Sequence, residues 1–306
     1  MEKIIHWKNM DLIVSEFKQS HVNGGRLGKF WVKDLKSGRI FMIKGSSPKS
    51  YEPFSEKLAY IIGKHLGIDV LEYDIIPASL FEGIIPINKK CKYLSICEKI
   101  DRKNYSISSI AEMKRAQNAL LEDFEKPITN KEVMYDTLPK EYIDTMLWFD
   151  AIIGNEDRHY GNVHVLRSIK GNIKGAPILD NGASLLAMRK AMIFPYLLGA
   201  KVGDFFNKAF TTQHTHDKQL EDVNSIQNIG FNITTKTIDI LNDIQPTLDL
   251  MPKLRATVVK RFIVYRLHKY LGMIKYEDNK KYFRIRSRFK RTFKEKEQSG
   301  EKTITA

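Results

Sequence analysis

Three polar side chains in the middle of the chain have the types and spacing needed to hold a divalent cation beside a proton acceptor. Asp157 and Asn162 lie five positions apart in a loop rich in glycine and ionisable side chains, and Asp180 follows eighteen positions later. The carboxylate of Asp180 and the amide oxygen of Asn162 are hard ligands of the kind that Mg²⁺ prefers. The carboxylate of Asp157 can accept a proton from an attacking hydroxyl. Transfer of a phosphoryl group from a magnesium–nucleotide complex requires these groups.

Regular elements on either side of this loop should bring the three side chains together. A helix is predicted over residues 139–153, and a polar loop of this kind directly after a helix is a frequent location for chemistry. Two strands are predicted at 163–167 and 176–179 and are separated by a turn. Because a hairpin places the start of one strand next to the end of the other, we expect Asn162 and Asp180 to lie close together.

The N-terminal part offers a lysine that suits an anionic ligand. Strands are predicted at 28–33 and 39–44, and Lys44 ends the apolar side of the second strand by the two-residue period. A lysine is unusual there unless an anion contacts it. A helix predicted at 54–66 carries Glu56 off its apolar stripe, where the carboxylate can reach a neighbouring strand.

Two further features belong to the same predicted nucleotide site. Strands are expected near 70–76 and 93–99, and the second ends at Glu98, where an adenine base is expected to lie. Gly24 and Gly25 precede the first predicted strand, and their backbone amides can bind phosphate oxygens. This segment lacks the G-x-G-x-x-G pattern, so an ordinary glycine turn stays open as an alternative.

Two motifs resemble the kinase core of the HipA-like serine/threonine kinases. Residues 154–162 read GNEDRHYGN and residues 177–182 read PILDNG, and the interval from Asp157 to Asn162 is that of the protein-kinase catalytic loop. The strand ending at Lys44 and the helix that follows it resemble the ATP-binding half of the same superfamily. The resemblance covers roughly residues 20–275.

The resemblance implies an ATP- and Mg²⁺-dependent serine/threonine protein kinase and assigns roles to individual residues. Asp157 would be the catalytic base, and Asn162 and Asp180 the Mg²⁺ ligands. Lys44 would contact the α- and β-phosphates, with Glu56 as the partner that orients it. The resemblance also implies a protein substrate with a serine or threonine acceptor, autophosphorylation, and a role in toxin–antitoxin systems.

The chain departs from full-length HipA toxins in one respect. Those proteins carry an additional N-terminal subdomain, for which there is no room before the first predicted strand. In some relatives this subdomain is a separate protein. The expected protein partners therefore include an antitoxin and a separate N-terminal subdomain.

The positive charge is concentrated near the C-terminus. Of the net charge of +14, +12 lies between Lys253 and Glu297, where sixteen Lys or Arg residues accompany four acidic ones. A basic tail at 279–306 interleaves aromatics with cations, a composition that can bind nucleic acid or an acidic partner. A helix that packs its aromatic side chains on the body and exposes its cations to water is the favoured interpretation.

Ordinary structural roles and two other functions remain open. Asp157 could form a surface ion pair, Lys44 could extend its ammonium into solvent, and Glu56 could interact with the dipole of its helix. A phosphoinositide kinase also uses an Asp-Arg-His loop and an aspartate–glycine metal motif, and a basic surface suits anionic lipid headgroups. A catalytically silent module that binds nucleotide or nucleic acid through the tail is the third function considered.

These observations predict an α+β, bilobal, protein-kinase-like fold. A small sheet-containing N-lobe is expected at 1–100 and a mainly helical C-lobe at 101–278, with ATP between them. The two cysteines, Cys91 and Cys97, are expected to be free thiols in a cytoplasmic protein. No apolar run is long enough to cross a bilayer, and no secretory signal is recognised at the N-terminus.

Overall fold

The N-terminal part of the protein is built on a six-stranded antiparallel sheet. The computed structural model describes residues 3–16, 28–45, 51–85, 91–100, 105–117, 134–188, 215–221, 223–232 and 234–272. The strand order is β1-β2-β3-β4-β6-β5. The strands are β1 (Ile5–Trp7), β2 (Met10–Glu16), β3 (Lys29–Asp34), β4 (Ile40–Lys44), β5 (Tyr73–Pro77) and β6 (Tyr93–Glu98).

The sheet is curled, so that its two edges approach each other. Lys8, in the turn between β1 and β2, forms an ion pair with Asp74 on β5, although β1 and β5 are the opposite edges of the sheet. The curl encloses a cluster of buried apolar side chains. Its members include Leu12, Phe30, Val32, Phe41, Ile43, Ile76, Phe81, Leu94 and Ile96.

The C-terminal part is mainly helical and includes one small sheet. The helices are α1 (Glu52–His65), α2 (Ile110–Gln117), α3 (Lys140–Ile153), α4 (His216–Leu220), α5 (Thr237–Asp249) and α6 (Lys253–Leu271). The small sheet has the order β7-β8-β9, from β7 (Tyr105–Ser109), β8 (His164–Ser168) and β9 (Ile173–Gly175).

Helix α1 connects the two parts of the molecule. Its buried residues Phe54, Leu58 and Ile62 belong to the same core as Phe149 of α3 and Phe262 of α6. Along the chain α1 nevertheless lies between strands β4 and β5 of the N-terminal sheet. The helix that carries Glu56 is therefore fixed by apolar packing against the C-terminal helices.

Most of the predicted N-terminal elements are confirmed, with small shifts at their ends. The hairpin of β3 and β4, helix α1 and strands β5 and β6 all lie where the hydrophobic pattern predicts them. Strands β1, β2 and β7 were not predicted. Strands β1 and β2 precede the first predicted strand along the chain.

The predicted strand at 176–179 is wrong. The partner of β8 is β9, which ends at Gly175. Pro177 has no N–H to donate to a continued ladder. Ile178 instead forms a parallel bridge with Val70, and its N–H donates to the carbonyl of Asp69 at 2.8 Å. The segment before Asp180 therefore leaves the hairpin and passes beside the chain that follows α1.

The observed architecture confirms the predicted α+β fold, in which a curled sheet is followed by a mainly helical part. Both cysteines are free thiols, and Cys97 is buried in β6. None of the helices in the described ranges combines the length and the hydropathy that a membrane crossing requires. The basic tail at 279–306 lies outside the described residues.

Candidate active site

The loop that carries Asp157 is shaped by hydrogen bonds to its own backbone. The N–H of Asp157 donates to the side-chain oxygen of Asn155 at 3.1 Å, and the side-chain nitrogen of Asn162 donates to the carbonyl of Asp157 at 2.7 Å. The N–H of Gly161 donates to His159 Nδ1 at 3.0 Å. These bonds fix the backbone on both sides of Asp157 without using its carboxylate.

Three residues that are far apart in the sequence meet at the end of β4. The ammonium of Lys44 contacts the carboxylate of Asp180 and lies 3.2 Å from Glu56 Oε1. The other oxygen of Glu56, Oε2, accepts a hydrogen bond of 2.8 Å from the backbone N–H of Asn181. Glu56 is fully buried and Lys44 is nearly so. Glu56 therefore links the lysine to the segment that carries Asp180.

A buried arginine holds the loop of Asp157 and the segment of Asp180 together. Arg158 forms a two-point ion pair with Asp150 of α3, through Nε and Nη2, at 2.9 Å each. Its Nη1 donates to the carbonyls of Asn162 at 2.9 Å and Leu179 at 2.6 Å. Its Nη2 also donates to the side-chain oxygen of Asn181 at 2.7 Å. One guanidinium thus bridges both predicted site segments.

The electrostatics of the site give its two aspartates opposite tendencies. Burial raises the pKa of Asp157, and the nearby charge of Asp180 raises it further, although His159 lowers it. Burial also raises the pKa of Asp180, but the charges of Lys44, Lys29 and Arg158 and the hydrogen bond from Lys44 together outweigh burial, and the pKa of Asp180 falls below its ordinary value. Asp180 is therefore held as an anion, whereas Asp157 accepts a proton more readily than an ordinary aspartate.

The donor set of this site fits Mg²⁺ bound together with a nucleotide. The side-chain nitrogen of Asn162 is occupied by the carbonyl of Asp157, which leaves its oxygen as the group available to a cation. Asp180 supplies a charged carboxylate. The described residues contain no group of three or more His, Cys, Asp or Glu side chains that could hold a metal. Mg²⁺ often takes one or two protein ligands and completes its shell with phosphate oxygens and water.

Lys29 belongs to this site and was missed from the sequence. In the β3–β4 pair it lies directly opposite Lys44, so the two side chains share a face of the sheet. Like charges in that position are unfavourable unless an anion lies between or beside them. The charge of Lys29 also acts on Asp180. The two-residue period of β3 could have placed Lys29 on this face, but pairing it with Lys44 required the register.

The structure gives less support to the other residues that are predicted to bind the nucleotide. Glu98 ends β6 at the surface, where its carboxylate lies 3.1 Å from Arg39 Nη1. Its carboxylate is therefore paired with Arg39, the residue that precedes β4. Gly24 and Gly25 lie outside the described residues.

Comparison with known proteins identifies the fold. No protein-family model and no curated protein sequence matches the chain. Among solved structures, the chain is similar to the proinflammatory kinase CtkA of Helicobacter pylori, with a TM-score of 0.55 and 19% identity. The match covers 82% of this chain and 91% of CtkA.

A second similarity is to HipA of Shewanella oneidensis, in a toxin–antitoxin complex with HipB and operator DNA. The TM-score is 0.44 at 13% identity, and the match covers 82% of this chain and 65% of HipA. A TM-score below 0.5 does not support a conclusion about this chain, so the fold assignment depends on the match to CtkA. The kinase-like fold expected from the sequence is confirmed.

Proposed function

We propose that this chain, with its kinase-like fold, is an ATP- and Mg²⁺-dependent serine/threonine protein kinase. The observation that carries the proposal is the meeting of Lys44, Glu56 and Asp180 at one point. Arg158 ties the loop of Asp157 and Asn162 to the same point. A lysine oriented by a helix glutamate and an aspartate next to a glycine turn are the parts that position a nucleotide triphosphate in kinases.

Each side chain has a task that its environment supports. Lys44 and Lys29 present two positive charges on one face of the sheet, where they would contact the phosphates of ATP. Asn162 and Asp180 would hold Mg²⁺, which supplies charge neutralisation when bound. Asp157 would orient the acceptor hydroxyl and take its proton, and its raised pKa suits that role. Gly24, Gly25 and the backbone near Glu98 complete the proposed nucleotide site.

The acceptor, the partners and the setting are proposals that depend on the resemblance stated from the sequence. We propose a serine or threonine of a protein as the acceptor, including one on the chain itself, in a cytoplasmic setting. An antitoxin or a separate N-terminal subdomain is the proposed partner. The proposed division is an N-lobe at 1–100, a C-lobe at 101–278 and a basic tail at 279–306.

The experiment is a transfer assay with γ-labelled ATP and Mg²⁺, followed by mass spectrometry of the phosphorylated residues. Casein, myelin basic protein and phosphoinositide vesicles serve as acceptors beside the chain itself. We expect serine or threonine phosphorylation in the protein samples. Label in phosphoinositide alone would make the chain a lipid kinase, and nucleotide binding without transfer would make it a silent module.

Two isosteric variants separate the proposed roles. Asp157→Asn should reduce transfer roughly 10²–10⁴-fold, because the proton acceptor is lost, while ATP binding persists. Asp180→Asn should lose transfer and, in addition, the Mg²⁺ dependence of ATP binding. The matched control is Asp239→Asn, an exposed carboxylate on α5 that should have no effect. Normal turnover by either site variant would exclude the role assigned to it.

A further inference from the structure

Asn181 connects the segment of Asp180 to two different parts of the molecule. Its backbone N–H donates to Glu56 of α1 at 2.8 Å, and its side-chain oxygen accepts from Arg158 at 2.7 Å. The residue is fully buried. A buried polar side chain costs stability unless it is hydrogen-bonded. The side-chain oxygen of this buried asparagine has its partner in Arg158, whereas its side-chain nitrogen makes no hydrogen bond within the described residues.

The same arginine holds the residues on both sides of Asp180. Arg158 binds the carbonyl of Leu179, which precedes Asp180, and the side chain of Asn181, which follows it. Asp180 itself has a φ of +60°, a conformation that non-glycine residues adopt infrequently. Such a backbone persists only where the surroundings over-determine it. The two anchors supplied by Arg158 provide that constraint.

The anchor is rigid because Arg158 is itself fixed. Asp150 takes two of its N–H groups in a two-point pair, and the side-chain nitrogen of Asn155 binds Asp150 at 2.9 Å. Asp150, Arg158 and Asn155 are almost completely buried. A planar guanidinium in such a pair has few alternative positions. The carbonyl of Asn162 is bound to the same guanidinium at 2.9 Å.

We propose that Arg158 and Asn181 are positioning residues that set the geometry between the two metal-binding side chains. Asn162 and Asp180 lie on separate segments, and Arg158 is bonded to residues of both. This inference rests on the proposed function, because it concerns Mg²⁺ bound at that site. A purely structural pair would support the fold and leave the affinity for Mg²⁺ unchanged.

The test measures metal affinity separately from turnover. Binding of a non-hydrolysable ATP analogue is followed by calorimetry over a series of Mg²⁺ concentrations. Asn181→Leu keeps the number and branching of the side-chain heavy atoms and leaves the Asp150–Arg158 pair intact, so the protein should fold. We expect the Mg²⁺ concentration for half-maximal binding to rise at least roughly tenfold, because Arg158 then holds the chain only before Asp180, at Leu179, and no longer after it.

A double-mutant cycle tests whether the two residues act through each other. Arg158→Lys keeps the positive charge beside Asp150 but loses the fork that reaches Asn181. If the residues act as one link, the double variant should raise the Mg²⁺ requirement no more than the larger single change. Independent effects would instead multiply and would overturn the proposal.

The control is Asp34→Ala, which removes a buried hydrogen-bonded carboxylate in the β3–β4 turn. It should lower the melting temperature without changing the Mg²⁺ requirement. A normal Mg²⁺ requirement in Asn181→Leu would overturn this inference and leave the proposed function standing. Absence of Mg²⁺-dependent binding in the unaltered protein would instead overturn both.

Discussion

Two buried carboxylates, Asp34 at a surface turn and Glu56 in the cluster that it forms with Lys44 and Asp180, have opposite protonation preferences. Asp34, the last residue of β3 before the turn to β4, accepts hydrogen bonds from the N–H groups of Asp11, Lys36 and Ser37 and from the Ser37 hydroxyl. The Ser37 hydroxyl contributes most to holding its pKa below the ordinary value, and burial opposes it only in part. The turn therefore stabilises its carboxylate in the charged form.

Glu56, beside Lys44, shows the reverse behaviour. It is fully buried, and burial raises its pKa although Lys44 lies 3.2 Å away. The charge of Asp180 raises the pKa further. The cluster thus keeps two anions around the ammonium of Lys44 at a cost in stability, as expected where groups are arranged to act on a ligand. The turn has no such requirement and satisfies its carboxylate with local donors.

The largest expected effect comes from removing the ammonium of Lys44. Lys44→Met leaves Glu56 buried without its cationic partner and leaves Asp180 with only the charges of Lys29 and Arg158, and we expect a loss of about 3–5 kcal/mol at neutral pH. The folded-state pKa of Glu56 is already above 4.5 and should rise further. A group with a raised folded-state pKa destabilises the protein above that pKa, and protonation relieves this as the pH falls. The loss should therefore shrink at about pH 5.

Urea unfolding of both proteins at about pH 7.5 and about pH 5 measures this difference. Lys33→Met, an exposed cation of β3, is the control and should change the free energy of unfolding by no more than about 0.5 kcal/mol at either pH. An equal loss for Lys44→Met at both pH values would contradict the assignment, because it would mean that the remaining carboxylates take up no proton.

The second largest effect should come from the glycine that begins the Asp157 loop. Gly154 has a φ of +63°, and a Cβ there would lie 2.6 Å from Phe262 Cζ and 3.3 Å from Arg266 Nη2. Gly154→Ala should lower the free energy of unfolding by about 2–4 kcal/mol in total. Part of this loss comes from an alanine in the left-handed conformation and part from overpacking against Phe262. Thermal unfolding gives the loss, and the transfer assay should show reduced turnover. An unchanged melting temperature would mean that the loop can move away from α6.

The local parts of this comparison could be predicted from the sequence. The turn of Asp34 lies between two strands with a clear two-residue period, and the helix ending at Gly154 has its stop signal in place. Lys44 was recognised because a lysine interrupts the apolar side of β4. Each of these inferences uses residues that are neighbours along the chain.

The parts that were missed depend on distant contacts. Asp150 is one acidic residue on a helix, and its pairing with Arg158 and Asn155 follows only from the fold of the loop. Lys29 needed the β3–β4 register. The predicted strand at 176–179 is wrong because the turn after β8 is shorter than expected, so that β9 pairs with β8 and ends at Gly175, before Pro177. Periodicity shows which face is buried, but not which strand lies next to it.

A smaller effect is expected in the turn. Asp34→Ala removes an acceptor from several local donors, and we expect a loss of about 1–2 kcal/mol at neutral pH because water can replace part of what is lost. A carboxylate with a lowered folded-state pKa contributes its stability above the unfolded value of 3.8. The difference between the two proteins should therefore diminish below that pH, the opposite of the Lys44→Met case. A difference that grows on acidification would remove the contrast between Asp34 in the turn and Glu56 beside Lys44.

The smallest effect isolates backbone conformation from packing. Gly38, in the same turn as Asp34, has a φ of +73°, close to that of Gly154, but a Cβ there would meet no atom within 4 Å. Gly38→Ala should therefore cost only the left-handed conformation, about 1 kcal/mol, measured by urea unfolding beside Gly154→Ala. If both substitutions cost the same, the extra loss at Gly154 cannot be ascribed to Phe262. A clear excess at Gly154 would show that the Asp157 loop begins where the chain packs too closely for any side chain.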